Sequence, residues 1–103
     1  MPSARTLLSG ATDGYIKVWD FESKKLAKSY DAHDKTVSCI CLHDSSTFIT
    51  GSHDSSLKLW DLRASRFLST FSEHNGEINC IKLLDKHSFL SSAKDNTIKV
   101  IYI

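Results

Sequence analysis

Three stretches of the chain align without a gap: LLSGATDGYIKVWDF, FITGSHDSSLKLWDL and FLSSAKDNTIKVIYI. Asp13, Asp54 and Asp95 stand 41 residues apart, and the same interval joins Trp19 to Trp60, His33 to His74 and Cys39 to Cys80. A fixed period of that length, held across 103 residues, means one supersecondary unit used about two and a half times. Any fold proposed for this chain must therefore be built by repetition.

Each unit reads as strands. Short apolar alternations rich in Val, Ile, Leu, Phe and Thr are separated by clusters of Ser, Asp, Gly and Asn, and the single proline stands at position 2. In the unit present in full, strands fall at TVSCICL, TFITGS, LKLWDL and RFLSTF, with turns at residues 43–46, 53–56 and 63–65. The expected architecture is all-β, an antiparallel meander of four strands per unit. Lys58 and Lys99 alternate with apolar neighbours, so one face of the third strand is expected to be partly wetted at its side-chain ends.

Composition narrows the function classes. With 41% hydrophobic and 24% charged residues and a formal net charge of +1, this is an ordinary globular chain, too short for two domains and able to bury only a modest core. A near-neutral chain whose largest basic cluster is Lys24-Lys25 lacks the footprint of a nucleic-acid binder. No stretch approaches the roughly 20 apolar residues that span a bilayer, so no membrane insertion is expected. The opening MPSARTLLSG holds no signal-peptide core, and three cysteines are an odd, sparse set. An intracellular, reduced setting follows, the cytoplasm first and the nucleus as the alternative.

The stretches SGATDGYIKVWD and TGSHDSSLKLWD each fit a second strand, tight turn and third strand, and on them the chain resembles the WD-repeat β-propeller family. The resemblance covers essentially the whole sequence. It implies a partial WD-repeat propeller of about two and a half blades: a partial first blade over residues 5–32, a complete second over 33–73 and a partial third over 74–103. Ala32 and Glu73 stand where the family usually has Gly, and Ile101-Tyr102 where it usually has Trp-Asp.

The resemblance further implies a buried hydrogen-bond chain in each blade, from indole N–H to hydroxyl to histidine to turn aspartate. Residue by residue, the complete set is Trp60, Thr50, His33 and Asp54, while His53 stands outside it. Partial sets are Ser9, Asp13 and Trp19 in the first unit and His74, Ser91 and Asp95 in the last. The residue types suit the role: indole only donates, hydroxyl does both, neutral imidazole offers one of each, and carboxylate only accepts. Because Ile101 removes the indole from the last set, the third blade is expected to be the less stable, with His33→Ala costing more than His74→Ala.

Hydroxyl, histidine and aspartate in series is also the order of a hydrolase triad, using Thr50 or Ser52. The arrangement recurs every repeat, no Gly-x-Ser-x-Gly elbow exists, and the hydroxyl is claimed by the indole, so no catalytic residue is expected. Cys39, Cys41 and His43 at alternate positions could share a strand face and, with His33, attract a metal. The repeat instead maps Cys41 to Lys82 and His43 to Leu84, and Cys39 to Cys80 within an apolar strand, where buried cysteines serve as core. Neither a metal site nor a cofactor is expected.

Tyr15, His53 and Lys94 fall at or beside the turn between second and third strands. The connection between blades supplies Asp31, Asp34, Lys35, Asn75 and Glu77. In the family these segments open on one face of the disc, and together they form the expected partner-binding face. The expected function is a non-catalytic protein-interaction scaffold whose partners are other proteins or further blades, the alternative being an inert or interfering propeller fragment. The order GSHDSSLKLWDLR followed by DNTIKVIYI is similar to the autophagy-related sixteen-like WD-repeat proteins, which implies recruitment of the autophagy conjugation machinery. The repeats start in a second strand and stop in a third, leaving TIKVIYI as a bare strand edge. A piece of a longer propeller is therefore expected, although Met1 also fits the start of a short product.

Overall fold

The computed structural model describes residues 6–20, 23–43, 47–61, 66–72 and 74–103, the side chains of Thr6, Leu7 and Arg66 excepted. Glu73, the turn at 63–65 and most of the turn at 43–46 lie outside the described residues.

Among the described residues ten strands form three antiparallel sheets, and there is no helix. The first sheet is β1 (Thr6–Gly10), β2 (Tyr15–Asp20) and β3 (Lys25–Asp31). The second, in the order β4-β5-β6-β7, is Val37–Leu42, Thr47–Ser52, Leu57–Asp61 and Arg66–Phe71. The third is β8 (Ile78–Asp85), β9 (Ser88–Ala93) and β10 (Ile98–Tyr102). Strand neighbours in sequence are neighbours in space, as short polar turns between apolar alternations dictate. The irregularities repeat as well. Register shifts fall between Val37 and Cys39 and again between Ile78 and Cys80, and between Val18 and Trp19 and again between Leu59 and Trp60.

The sheets stack face to face, so the alternation along each strand feeds two cores. Between the first and second sheets lie Ile16, Val18, Tyr30, Ala32, Val37, Phe48 and Trp60. Between the second and third lie Ile49, Leu57, Leu59, Ile78, Ile81, Phe89, Ala93 and Ile101. β5 serves both cores: Phe48 turns to one side, Ile49 to the other, and all six of its residues are buried. Each such large apolar side chain contributes about 1.5–3 kcal/mol by leaving water. Trp60 gains more from its ring neighbours, with Phe48 stacked at 6.2 Å between centroids, Tyr30 tilted at 5.3 Å and Phe67 edge-on at 5.7 Å.

Glycine sets the sheet spacing. A Cβ on Gly51 would sit 2.6 Å from Ile78 Cγ2, and one on Gly10 would sit 2.7 Å from Val37 Cγ1, so the next sheet approaches at these points because no side chain intervenes. The equivalent position in the third sheet is Ser92, on a face that is open. On that face Ile98 is 73% exposed and Tyr102 77%, with Val100 beside them. β10 pairs with β9 alone among the described residues.

This open face corrects the expectation for Cys80. Cys39 packs against the core between the second and third sheets, but Cys80, one period later, is exposed on the uncovered side. The repeat transfers the direction of a side chain. Burial needs a neighbouring sheet as well.

Candidate functional site

The best-ordered polar constellation crosses the first sheet-to-sheet interface. Thr50, in the middle of β5, pairs with Lys58 across β6, and its side chain points towards the first sheet. Trp60 Nε1 donates to Thr50 Oγ1 at 2.9 Å, and Thr50 Oγ1 lies 2.8 Å from His33 Nε2. The indole can only donate, so the threonine accepts from it; the Asp54 carboxylate can only accept, so Nδ1 of the neutral ring carries the proton and the threonine donates its own to Nε2. His33 is thereby assigned the Nδ1–H tautomer, and Nδ1 lies 3.1 Å from Asp54 Oδ2.

The aspartate closes the turn. Asp54 Oδ1 accepts from the Ser56 amide at 2.9 Å and the Ser56 hydroxyl at 2.5 Å, and Oδ2 accepts from the Asp34 amide at 3.2 Å. Ser56 Oγ also lies 3.0 Å from His33 Nδ1. Burial holds the His33 pKa below its ordinary 6.5, against the pull of the Asp54 charge, so the ring is neutral at neutral pH. Burial alone would raise Asp54, but the Ser56 hydroxyl and amide, the His33 charge and the Asp34 amide together hold its carboxyl below the usual range.

The third sheet repeats this arrangement without the indole. His74 Nε2 lies 2.7 Å from Ser91 Oγ, and Nδ1 lies 3.1 Å from Asp95 Oδ2 and 3.0 Å from Thr97 Oγ1. The Thr97 hydroxyl and amide and the Asn75 amide all donate to Asp95. The Thr97 hydroxyl first, then the Asn75 amide, drive the Asp95 pKa far down. Ile101, buried, occupies the place of the tryptophan. In the first sheet Trp19 Nε1 donates to Ser9 Oγ at 3.1 Å, and Asp13 accepts from the Tyr15 amide at 3.1 Å.

Ser56 and Thr97 are absent from the sequence reading. The signal was present, since Asp-x-Ser at 54–56 recurs one period later as Asp-x-Thr at 95–97. Lys58, expected only to be partly wetted, is half-buried and also bonded: its ammonium donates to the Ala32 carbonyl at 2.6 Å and lies 4.8 Å from the centre of the Phe67 ring.

Thr50 and Ser52 are fully buried. Thr50's proton is directed to His33, while the Ser52 hydroxyl donates to the Thr36 carbonyl at 2.8 Å and accepts from the Asp54 amide at 3.1 Å. Neither oxygen faces a space that a substrate could enter. Among the described residues no three His, Cys, Asp or Glu side chains converge as metal ligands do. His43 is held by Thr47 Oγ1 and by the Lys86 carbonyl, both at 2.7 Å. Burial pushes the Cys39 thiol up to about 11 and raises Cys41 as well, so both stay protonated.

The remaining named residues lie on the edge where the β1–β2, β5–β6 and β9–β10 turns meet the connections between sheets. Tyr15 pairs with Asp31 across β2 and β3. The His53 amide donates to the Thr36 carbonyl and the Lys94 amide to the Glu77 carbonyl, both at 2.9 Å, so each turn is tied to the connection that enters its own sheet. Tyr15, Asp31, Asp34, Lys35, Asn75 and Lys94 are exposed, and His53 and Glu77 are half-buried.

Three stacked antiparallel sheets, the middle one four-stranded and pinned by indole, hydroxyl, imidazole and carboxylate, define a segment of a repeat-built β-propeller. Residues 1–20, 24–61 and 65–101 match the WD40 family (WD domain, G-beta repeat), and the chain belongs to that family. It is 38% identical over 47 residues to the WD40 repeat-containing protein smu1 of Dictyostelium discoideum, a match taking in 38% of this chain and 9% of that protein. Among solved structures it superimposes on the WD40 β-propeller domain of Doa1 with a TM-score of 0.83 and 27% identity, covering 97% of this chain and 33% of that one. The chain thus spans a third of that solved chain and under a tenth of the relative.

Proposed function

We propose that this chain is a non-catalytic, intracellular scaffold segment that binds other proteins through the edge carrying the turns and connections. One observation carries the proposal: the hydroxyl, histidine and aspartate that could do chemistry are consumed inside the fold. The exposed side chains over the interfaces are left as the recognition surface. The rigid sheets beneath hold Tyr15, Asp34, Asn75 and their neighbours at fixed separations, so a partner meets a surface already ordered. Recruitment of the autophagy conjugation machinery is the finer form of this reading, and its support is the order of GSHDSSLKLWDLR and DNTIKVIYI.

Two measurements test the proposal. A broad serine-reactive phosphonate should leave the folded chain unlabelled, and stoichiometric labelling at Thr50 or Ser52 would overturn the non-catalytic reading. Proteins retained by the immobilised chain should be lost on Tyr15→Ala with Asn75→Ala, and kept on Lys86→Ala at the opposite edge. Equal retention by all three would remove the turn edge as the binding surface.

A further inference from the structure

At the seam between the second and third sheets, basic side chains from two different turns contact one carboxylate, and a third base stands on the connection beside the β5–β6 turn. Lys94, on the β9–β10 turn, donates to Glu77 Oε1 at 2.7 Å, and His53, on the β5–β6 turn, places Nδ1 3.6 Å from Glu77 Oε2. Backbone bonds fix both turns: His53 to the Thr36 carbonyl, Lys94 to the carbonyl of Glu77 itself. Lys35 precedes Thr36 in the same connection, and its own carbonyl lies 3.4 Å from the Ser52 hydroxyl beneath the turn. The Lys94 hydrogen bond, with the charges of His53, Lys94 and Lys35, holds the Glu77 carboxyl below its usual range, so all three bases act on one point. The cluster is open to solvent, with Lys94 67% exposed, His53 37% and Glu77 35%.

One ammonium and an imidazole therefore share a single carboxylate, and the Lys35 charge on the neighbouring connection adds to theirs. Lys94 commits one of three N–H donors to it, and Lys35, next to Asp34 in the connection, is exposed. We propose that this seam binds an acidic segment of a partner protein, its Asp or Glu side chains joining or displacing Glu77 between Lys35, His53 and Lys94. Glu77 already shows the geometry a carboxylate adopts there. A nucleic acid fits less well, because Lys35, His53 and Lys94 make one compact point of basic charge and not the extended basic stripe that a run of phosphates needs. The inference rests on the scaffold reading and adds to it the chemistry of the partner.

The test is a fluorescence-anisotropy titration of the intact chain with an octapeptide of Glu and Gly, and with its Lys and Gly counterpart. The acidic peptide should bind more tightly, and more weakly as salt rises from about 50 to about 200 mM. Lys35→Gln with Lys94→Gln should weaken it roughly fivefold, since two exposed charge contacts are lost. Glu77→Gln should strengthen it about twofold by removing the internal competitor. These positions are solvent-facing, and circular dichroism checks that each variant remains folded. Tighter binding of the basic peptide, no response to the double lysine change, or weakening by Glu77→Gln would each overturn the proposal. If the acidic peptide fails while Tyr15→Ala with Asn75→Ala still releases retained proteins, the acidic-partner inference falls and the scaffold reading stands.

Discussion

Thr50→Val is the sharpest perturbation of the buried chain, because valine keeps the shape and removes only the hydroxyl. Two partners are then stranded: the Trp60 N–H, which donated at 2.9 Å, and His33 Nε2, which accepted at 2.8 Å. Thr50 is fully buried and Trp60 and His33 are 3% and 4% exposed, so water does not replace either bond. An unsatisfied buried polar group costs about 1–3 kcal/mol, so the pair is expected to cost about 2–5 kcal/mol, the upper part reduced by reorientation of the His33 ring. The matched control is Ser91→Ala, which strands only His74 Nε2, bonded at 2.7 Å, since Ile101 offers no donor. That change is expected to cost about 1–3 kcal/mol. Equilibrium urea unfolding followed by tryptophan fluorescence reads both values, and near-UV circular dichroism checks that the native packing persists. Comparable losses for the two variants, or a loss below about 0.5 kcal/mol for Thr50→Val, would refute the view that the indole and imidazole both depend on this hydroxyl. A Thr50→Val/Trp60→Phe cycle should show coupling of about 1 kcal/mol or more, because the second change removes the stranded donor.

Other expectations follow from separate features. Ser55 sits at φ 74°, where the first repeat has Gly14 at φ 85° and the third Asn96 at φ 66°; Ser55→Gly should raise stability by about 0.5–1 kcal/mol in the same urea assay, and destabilisation would contradict a strained serine. Gly51→Ala should cost about 1–3 kcal/mol by driving a Cβ into Ile78 and Cys39, whereas Ser92→Gly, at the equivalent open position, should change stability by less than about 1 kcal/mol; equal costs would deny that the glycine sets the sheet spacing. Stability should fall as pH drops below about 6.5, because the unfolded chain takes up a proton that folded His33, with its lowered pKa, refuses. A further fall is expected below about pH 4, where Asp54 and Asp95, both lowered in the fold, lose their advantage over the unfolded carboxylates. Urea midpoints between pH 7.5 and pH 3 give the profile, and a flat line through the histidine range would show that His33 gains no differential protonation.

Much of the fold is written in the period of the sequence. Alternation of apolar residues marks the strands, the Ser/Asp/Asn clusters mark the turns, and one gapless interval says that the parts are alike. The polar chain was legible through the family resemblance, and its residue types, donor-only, two-way and acceptor-only, suit that order. Ser56 was overlooked because a hydroxyl two residues after a turn aspartate ordinarily reads as turn chemistry. Only the approach of His33 from a different segment, 23 positions away, brings it within 3.0 Å of the imidazole. The partner of Lys58 was out of reach for a related reason. Alternation gives the side of the sheet on which a lysine emerges, but the Ala32 carbonyl waiting there belongs to the preceding repeat. Cys80 shows the limit of periodicity most directly, since its equivalent Cys39 has the same direction and different company.

Several ties between adjoining sheets end on main-chain oxygen. Lys58 reaches the carbonyl of Ala32, and Ser38 in β4 reaches forward to the carbonyl of Ile78 at 2.5 Å. A carbonyl is present whatever side chain the residue carries. Either neighbour can therefore change its sequence by drift without removing the acceptor, and a newly duplicated unit finds the same anchor in any unit it adjoins. Fastening of this kind lets a repeat array lengthen, shorten or diversify its outer surface while the joints go on working.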